Sequence, residues 1–362
     1  MHLRSKGRGV SARIGLAMLA GVVVALTASS AFAANRFWVS GGSCTGVFSD
    51  NNCWAQASGG PTGFSAPVST DVVTFDGNGT GPCSIAANLT VATMTVGVGY
   101  TGTITVNATG GNPDVKTTGN FSLQGGTFNL NGNKLAVNSI PATGMTGGTF
   151  LTGTGGQVVS TGAVTVNGTT YTGAGGAFST STFTLTSGTF TTNALTTTST
   201  YTQSGGVFNA GGGAISINGA ITMTGGTFNA GTSAVSMTSM TVNGAATLFN
   251  AGSNSVTNTG ATSISNATTG GTFDGQTAAL SLTSTVAVGT LAGLVGTMSM
   301  GSRTSTLGGA LNVYGAGSTF NANTSTTTVT GTVTVDYSGA VNGNSAALTV
   351  GAMTVGNAAR AA

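Results

Sequence analysis

Charge is nearly absent from this sequence. Only 4% of its 362 residues are charged, glutamate does not occur, and the single histidine is His2. General acid–base catalysis draws on His, Glu or Asp placed in pairs, and zinc centres draw on His and Cys at short spacings. The carboxylates here are Asp50, Asp71, Asp76, Asp114, Asp274 and Asp336, scattered along the chain. Asp71 and Asp76 are the closest pair, yet five residues apart in a strand they face opposite ways. Their expected role is loop or strand-end hydrogen bonding. Three cysteines without a neighbouring histidine argue against a metal site. Beyond the first thirteen residues Lys and Arg do not cluster, and nucleic-acid binding needs such clusters against phosphate. The sequence therefore predicts no enzyme, no cofactor, no metal and no nucleic-acid partner.

Long apolar runs are also missing beyond the first thirty residues. Arg4, Lys6, Arg8 and Arg13 precede an apolar run from Ile14 to Leu26, and Ala31-Phe32-Ala33 supplies small residues at a cleavage position. Residues 1–33 are read as a secretory signal, because about 13 apolar residues fall short of the roughly 20 that span a bilayer. The expected location is extracellular or at the cell surface, with no membrane span after cleavage. The mature chain would keep Arg36, Lys116, Lys134, Arg303 and Arg360 against six aspartates, a formal charge of −1.

Residues 34–82 differ in composition from the rest of the mature chain. They hold both tryptophans, Trp38 and Trp54, the cysteines Cys44 and Cys53, and three of the five prolines. A repeat array needs its first core layer covered, so this segment is expected to be an N-terminal cap plugged by the tryptophans. Cys44 and Cys53 flank the turn Ser49-Asp-Asn-Asn52 and could close a disulfide in an oxidising compartment. Cys83 is left with three fates: a buried small side chain facing the same way as Ile85, a partner for Cys53, or an interchain bridge.

What is abundant is glycine, 62 residues, set in a recurring phrase. Its clearest form is Gly225-Gly-Thr-Phe-Asn-Ala-Gly231, followed by Ala234-Val-Ser-Met237 and Met240-Thr-Val242. Aligning on the residue after Gly-Thr or its near equivalents gives Ile104, Phe128, Phe150, Tyr171, Phe190, Phe208, Phe228, Phe249, Phe273, Met298, Phe320 and Val341, with a mean step of about 21.5 residues. A period in the twenties marks a solenoid. Each apolar-polar-apolar triplet fits a short strand, and Gly or Asn marks each corner, where positive φ is cheap. The prediction is an all-β parallel β-helix of about twelve coils, residues 83–362, each with three strands and three turns. Stacked at about 4.8 Å, twelve coils make a rod of roughly 55–60 Å. The ladder residues would stack inside. Asn129, Asn209, Asn229, Asn250, Asn321 and Asn342 follow them and would either form an amide stack or act as separate turn formers.

Outward positions on the third strand are small and hydroxylic: Thr165, Thr184, Thr202, Thr222, Thr241, Ser263 or Ser265, Ala287, Asn312, Thr334 and Thr354. Ice-binding solenoids resemble this column but pair Thr-x-Thr on every coil. Thr182, Thr184 and Thr186 fit that pattern, as do Thr222 and Thr224, while neighbouring coils break it. Calcium-binding nonapeptide repeats carry Asp in nearly every Gly-rich turn, and here only Phe75-Asp-Gly and Phe273-Asp-Gly do.

The Gly-Gly-Thr-Phe-Asn-Ala-Gly repeats, the opening Asn35-Arg-Phe-Trp-Val39, Trp54 and Val72-Val-Thr-Phe-Asp76 resemble bacterial secreted β-solenoid proteins, the passenger regions of autotransporters and filamentous-haemagglutinin-like adhesins. That resemblance implies structural or adhesive work at the cell surface. A C-terminal membrane barrel or an anchor is not recognisable. Residues 356–362 look too short to cover the last coil, so end-to-end self-association into filaments or a surface layer is the leading expectation, with an extracellular polymer as the other partner. The alternatives are glycan binding, with Tyr100, Tyr201, Tyr314 and Tyr337 as stacking side chains, and a β-helix polysaccharide lyase or hydrolase.

Overall fold

The computed structural model describes residues 33–107, 114–265, 270–345 and 347–356, so the expected signal, save Ala33, and Arg360 lie outside it. The chain winds into a parallel β-solenoid of about 13 turns. Three columns of strands run its length. The first begins at Cys83–Ile85 and runs through Thr103–Val106, Thr127–Asn129 and Thr149–Leu151 down to Ala340–Asn342. The second begins at Leu89–Val91 and Asp114–Thr117, and the third at Asn35–Trp38, Val72–Phe75 and Thr93–Val96.

The first column explains the extra turn. Cys83 pairs with Ile104, one step before the first ladder residue. From there the pairing runs Ile104, Phe128, Phe150, Tyr171, Phe190, Phe208, Phe228, Phe249, Phe273, Met298, Phe320, Val341, each opposite the next. Rings from Phe208 to Phe273 lie face to face within about 10° of parallel, 4.5 to 5.2 Å apart. Strict vertical register forces this geometry: identical residues on successive coils superpose their rings at the strand spacing. All three columns send their apolar residues to one continuous core.

Among the described residues, buried side-chain polar atoms mostly find local partners, Arg36 Nε and Nη1, Thr197 Oγ1 and Thr247 Oγ1 being the exceptions. Gln203 is fully buried; its amide donates to the carbonyls of Gly205, Gly206 and Thr227, and its oxygen accepts the Tyr201 hydroxyl at 2.8 Å. Without those partners each buried polar atom would cost about 1–3 kcal/mol.

The segment read as a cap, 34–82, continues the third column rather than only lying over it. Asn35–Trp38 runs parallel to Val72–Phe75, which runs parallel to Thr93–Val96. The closure comes from the chain between them. Trp54–Ala55 pairs antiparallel to the outer edge of Asn35–Trp38, and the loop before it bridges Val47 to Ser84 at the top of the first column. Trp38, Trp54, Phe48, Phe75 and Tyr100 then pack mainly edge to face. Such aromatic contacts contribute about 0.5–1.5 kcal/mol each beyond burial.

Cys44 and Cys53 are disulfide-bonded, while Cys83 is a free, buried thiol beneath the cap. Replacing both Cys44 and Cys53 by alanine is expected to cost about 2–3 kcal/mol, the loop-closure value for so short a loop. Thermal unfolding with and without reductant checks this, and identical melting temperatures would contradict it.

Candidate functional surface

Each singled-out side chain has a definite place, and most are engaged in the fold. Asp50 accepts N–H bonds from Thr45 and Asn52, and these, Thr45 first, hold its carboxyl below the usual range. Asp76 and Asp274 each accept the N–H two residues on, the short side-chain turn that Asp favours. Asp336 accepts the Tyr337 N–H at 2.8 Å. Asp71 is buried and accepts from Ala34 and Val68. Five of the six carboxylates are thus bound to backbone donors. Among the described residues no group of three or more His, Cys, Asp or Glu could hold a metal ion.

The tyrosines correct one expectation. Tyr100 and Tyr201 are fully buried, and burial pushes the hydroxyls of both up from their ordinary value. Neither can stack on a sugar, because each is an inward core residue: Tyr201 sits opposite Phe183 and Ile221 in the third column. Only Tyr314 and Tyr337 are partly exposed.

The asparagines divide. Asn209, Asn229 and Asn250 form an amide chain, Asn229 donating to Asn209 at 2.9 Å and Asn250 to Asn229 at 2.7 Å, and Asn342 donates to Asn321 at 2.8 Å. Asn129 does not join a stack. Its neighbour on the next coil is Leu151, and its oxygen accepts the Asn131 N–H instead.

What remains for partners is the outer surface. The third-strand column of Thr165, Thr184, Thr202, Thr222, Thr241, Ser263, Ala287, Asn312, Thr334 and Thr354 is continuous in register. A second hydroxyl column lies on the first sheet, where Thr103, Thr127, Thr149, Thr170 and Thr189 pair in succession before Val207 interrupts. The periodicity of the third strand alone does not reveal it. Its signal in the sequence is the Thr of Gly-Thr-Phe, which alternation places outward whenever Phe points in.

The chain matches no family model, no curated protein and no solved structure. Its chemistry is therefore read from its own surface, whose concavities include these two. One, about 190 Å³, lies between Phe48, Ala66 and Pro67 of the cap and the corner Ile85–Leu89. The other is a shallow groove of about 310 Å³ on the second sheet, lined by Lys116, Ala136, Asn138, Val159 and Thr161 among others. Lys116 is exposed at its edge, and Lys134 lies on the next coil opposite Asp114. No described helix is long and apolar enough to cross a membrane.

Proposed function

We propose that this protein is a secreted, non-catalytic structural or adhesive rod that works at the cell surface or in the extracellular space. The observation that carries this is the commitment of its few reactive groups to the fold: five of the six carboxylates bind backbone, three of the five tyrosines are in the core, and the threonine-rich outward columns of the first and third sheets are uncharged. Such a surface offers many weak, repeated contacts along a line. Its partners would be an extracellular polymer along the faces, or a second copy at the end. The likeness of the repeats to autotransporter passengers and filamentous adhesins supports the same reading.

Self-association has a geometric limit. The N-terminal end is closed by the paired edge at Trp54–Ala55, while the last described coil leaves Met353 and Val355 53% and 71% exposed. Among the described residues Leu348–Val355 is paired on one side only, and a free edge with apolar side chains is a template for another strand. Two copies meeting there would pair tail to tail, an isologous contact that closes at the dimer. End-to-end growth into filaments would need the cap to open.

Glycan binding is the second reading, favoured by the groove beside Lys116. Labelling of intact cells with antibody, combined with adhesion assays of a deletion strain, tests the main reading: external label and lost adhesion are expected, and label confined to the cell interior would contradict it. A polysaccharide panel read against Lys116→Ala separates the groove from the faces.

A further inference from the structure

We infer that removal of the signal creates a part-buried ion pair, between the new α-ammonium of Ala34 and the buried carboxylate of Asp71, that fastens the start of the solenoid. The Ala34 nitrogen lies 3.0 Å from Asp71 Oδ1. Asp71 is only 2% exposed. Its other oxygen accepts the Val68 N–H at 3.0 Å and lies 3.5 Å from Arg36 Nε, an approach without a hydrogen bond. Arg36 turns its Nη2 to Ser65 at 2.9 Å instead. The buried carboxylate is therefore ion-paired with Arg36 without a hydrogen bond between them, which leaves the Ala34 and Val68 N–H groups as its hydrogen-bond donors. The carbonyl of Ala34 in turn accepts the Val72 N–H at 2.9 Å, so the residue is held from both sides at the head of the third column.

The sequence places the scissile bond at this nitrogen. Ala31-Phe32-Ala33 precedes Ala34. Hydrolysis consumes one water: its oxygen goes to the Ala33 carbonyl carbon, the C–N bond breaks, and the products at neutral pH are the Ala33 carboxylate and the Ala34 ammonium. Before cleavage the nitrogen is a neutral amide with one N–H for Asp71. Afterwards it carries a full positive charge and three N–H donors, and charge-assisted bonds of this kind are about twice as strong as neutral ones. The released Ala33 carboxylate leaves with the signal, so no negative charge stays to compete. Only the processed chain holds the pair.

The charged groups at this end are Asp71, 3.0 Å from the Ala34 nitrogen, and Arg36, which approaches Asp71 at 3.5 Å. The adjoining carboxylate is expected to hold the new amine protonated above its ordinary range of about 7.7–8.0. Stability from the pair is fully present below that range and is lost as pH rises through the raised value.

The test uses the full processed chain from a secreting host, and it rests on the secretion reading, which N-terminal sequencing checks separately. Sequencing is expected to return Ala34-Asn-Arg. The α-amine is expected to be acylated at pH 7.5 about tenfold more slowly than that of a chain prepared to begin at Ala33, since one pKa unit is a tenfold change in free amine. The Ala34 chain is expected to melt at the higher temperature, and Asp71→Asn to abolish both differences. A first residue other than Ala34 would overturn the inference, as would equal amine reactivity and equal melting in the two chains. Those two comparisons decide the matter even if the Asp71→Asn chain does not fold.

Discussion

Replacing Phe228 by alanine is expected to destabilise the protein by about 3–5 kcal/mol, the cost of deleting a buried aromatic side chain. Phe228 is fully buried, with the rings of Phe208 and Phe249 at 4.5 and 4.7 Å on either side and Tyr201 edge-on at 5.5 Å. The cavity cannot close. Coils above and below are held apart by ladder hydrogen bonds at Thr227–Asn229, so the backbone cannot move in to fill the space. In a solenoid each coil touches only its neighbours, and stability is nearly a sum of coil and interface terms. The loss should therefore be local as well as large. Urea unfolding gives the total, and hydrogen exchange should show protection lost first in residues 207–250. Phe228→Leu, which keeps most of the volume, is expected to cost much less. Equal midpoints for Phe228→Ala and the parent would mean that the ring ladder contributes little.

Gly226→Ala is the second large effect, roughly 2–5 kcal/mol. Gly226 turns the corner into the phenylalanine strand with φ +79, and a Cβ there would lie 2.4 Å from the Gly206 carbonyl oxygen. The left-handed conformation costs an L-residue about 1–2 kcal/mol, and forcing the neighbouring coil away adds about 1–3 kcal/mol, as overpacking does elsewhere. The atoms in the way belong to backbone, which cannot rotate aside. Gly343→Ala supplies the control, because an added Cβ there meets nothing within 4 Å and its φ is not in the left-handed range. Equal losses at the two positions would show that stacking distance is not what requires glycine at the corner.

These two sites also show why the architecture could be read in advance. Stacking makes each coil repeat its inward residue at the same height, so a step of 18 to 21 residues carries through Phe190, Phe208, Phe228 and Phe249. Close coil-to-coil contact makes glycine recur at the corner. The amide chain was only partly legible, because an Asn stacks when its neighbour on the next coil is also Asn. Asn229 has such neighbours and Asn129 has Leu151, and the residue on the next coil, not the local motif, decides between stack and turn. The tyrosines misled for a related reason. Tyr100 and Tyr201 replace Phe at inward positions, and their hydroxyls find Gly81 and Gln203 inside the fold. The pairing of Ala34 with Asp71, 37 residues apart, has no periodic signature at all.

Electron microscopy of the processed chain across a concentration series, with the N-terminus gold-labelled, tests most directly whether the protein is a rod, closed at its N-terminal end, that pairs through the Leu348–Val355 edge. A rod of about 60–70 Å is expected at low concentration, and double-length rods with gold at both tips are expected at high concentration. Single rods at every concentration, or fibres with gold along their length, would contradict the account.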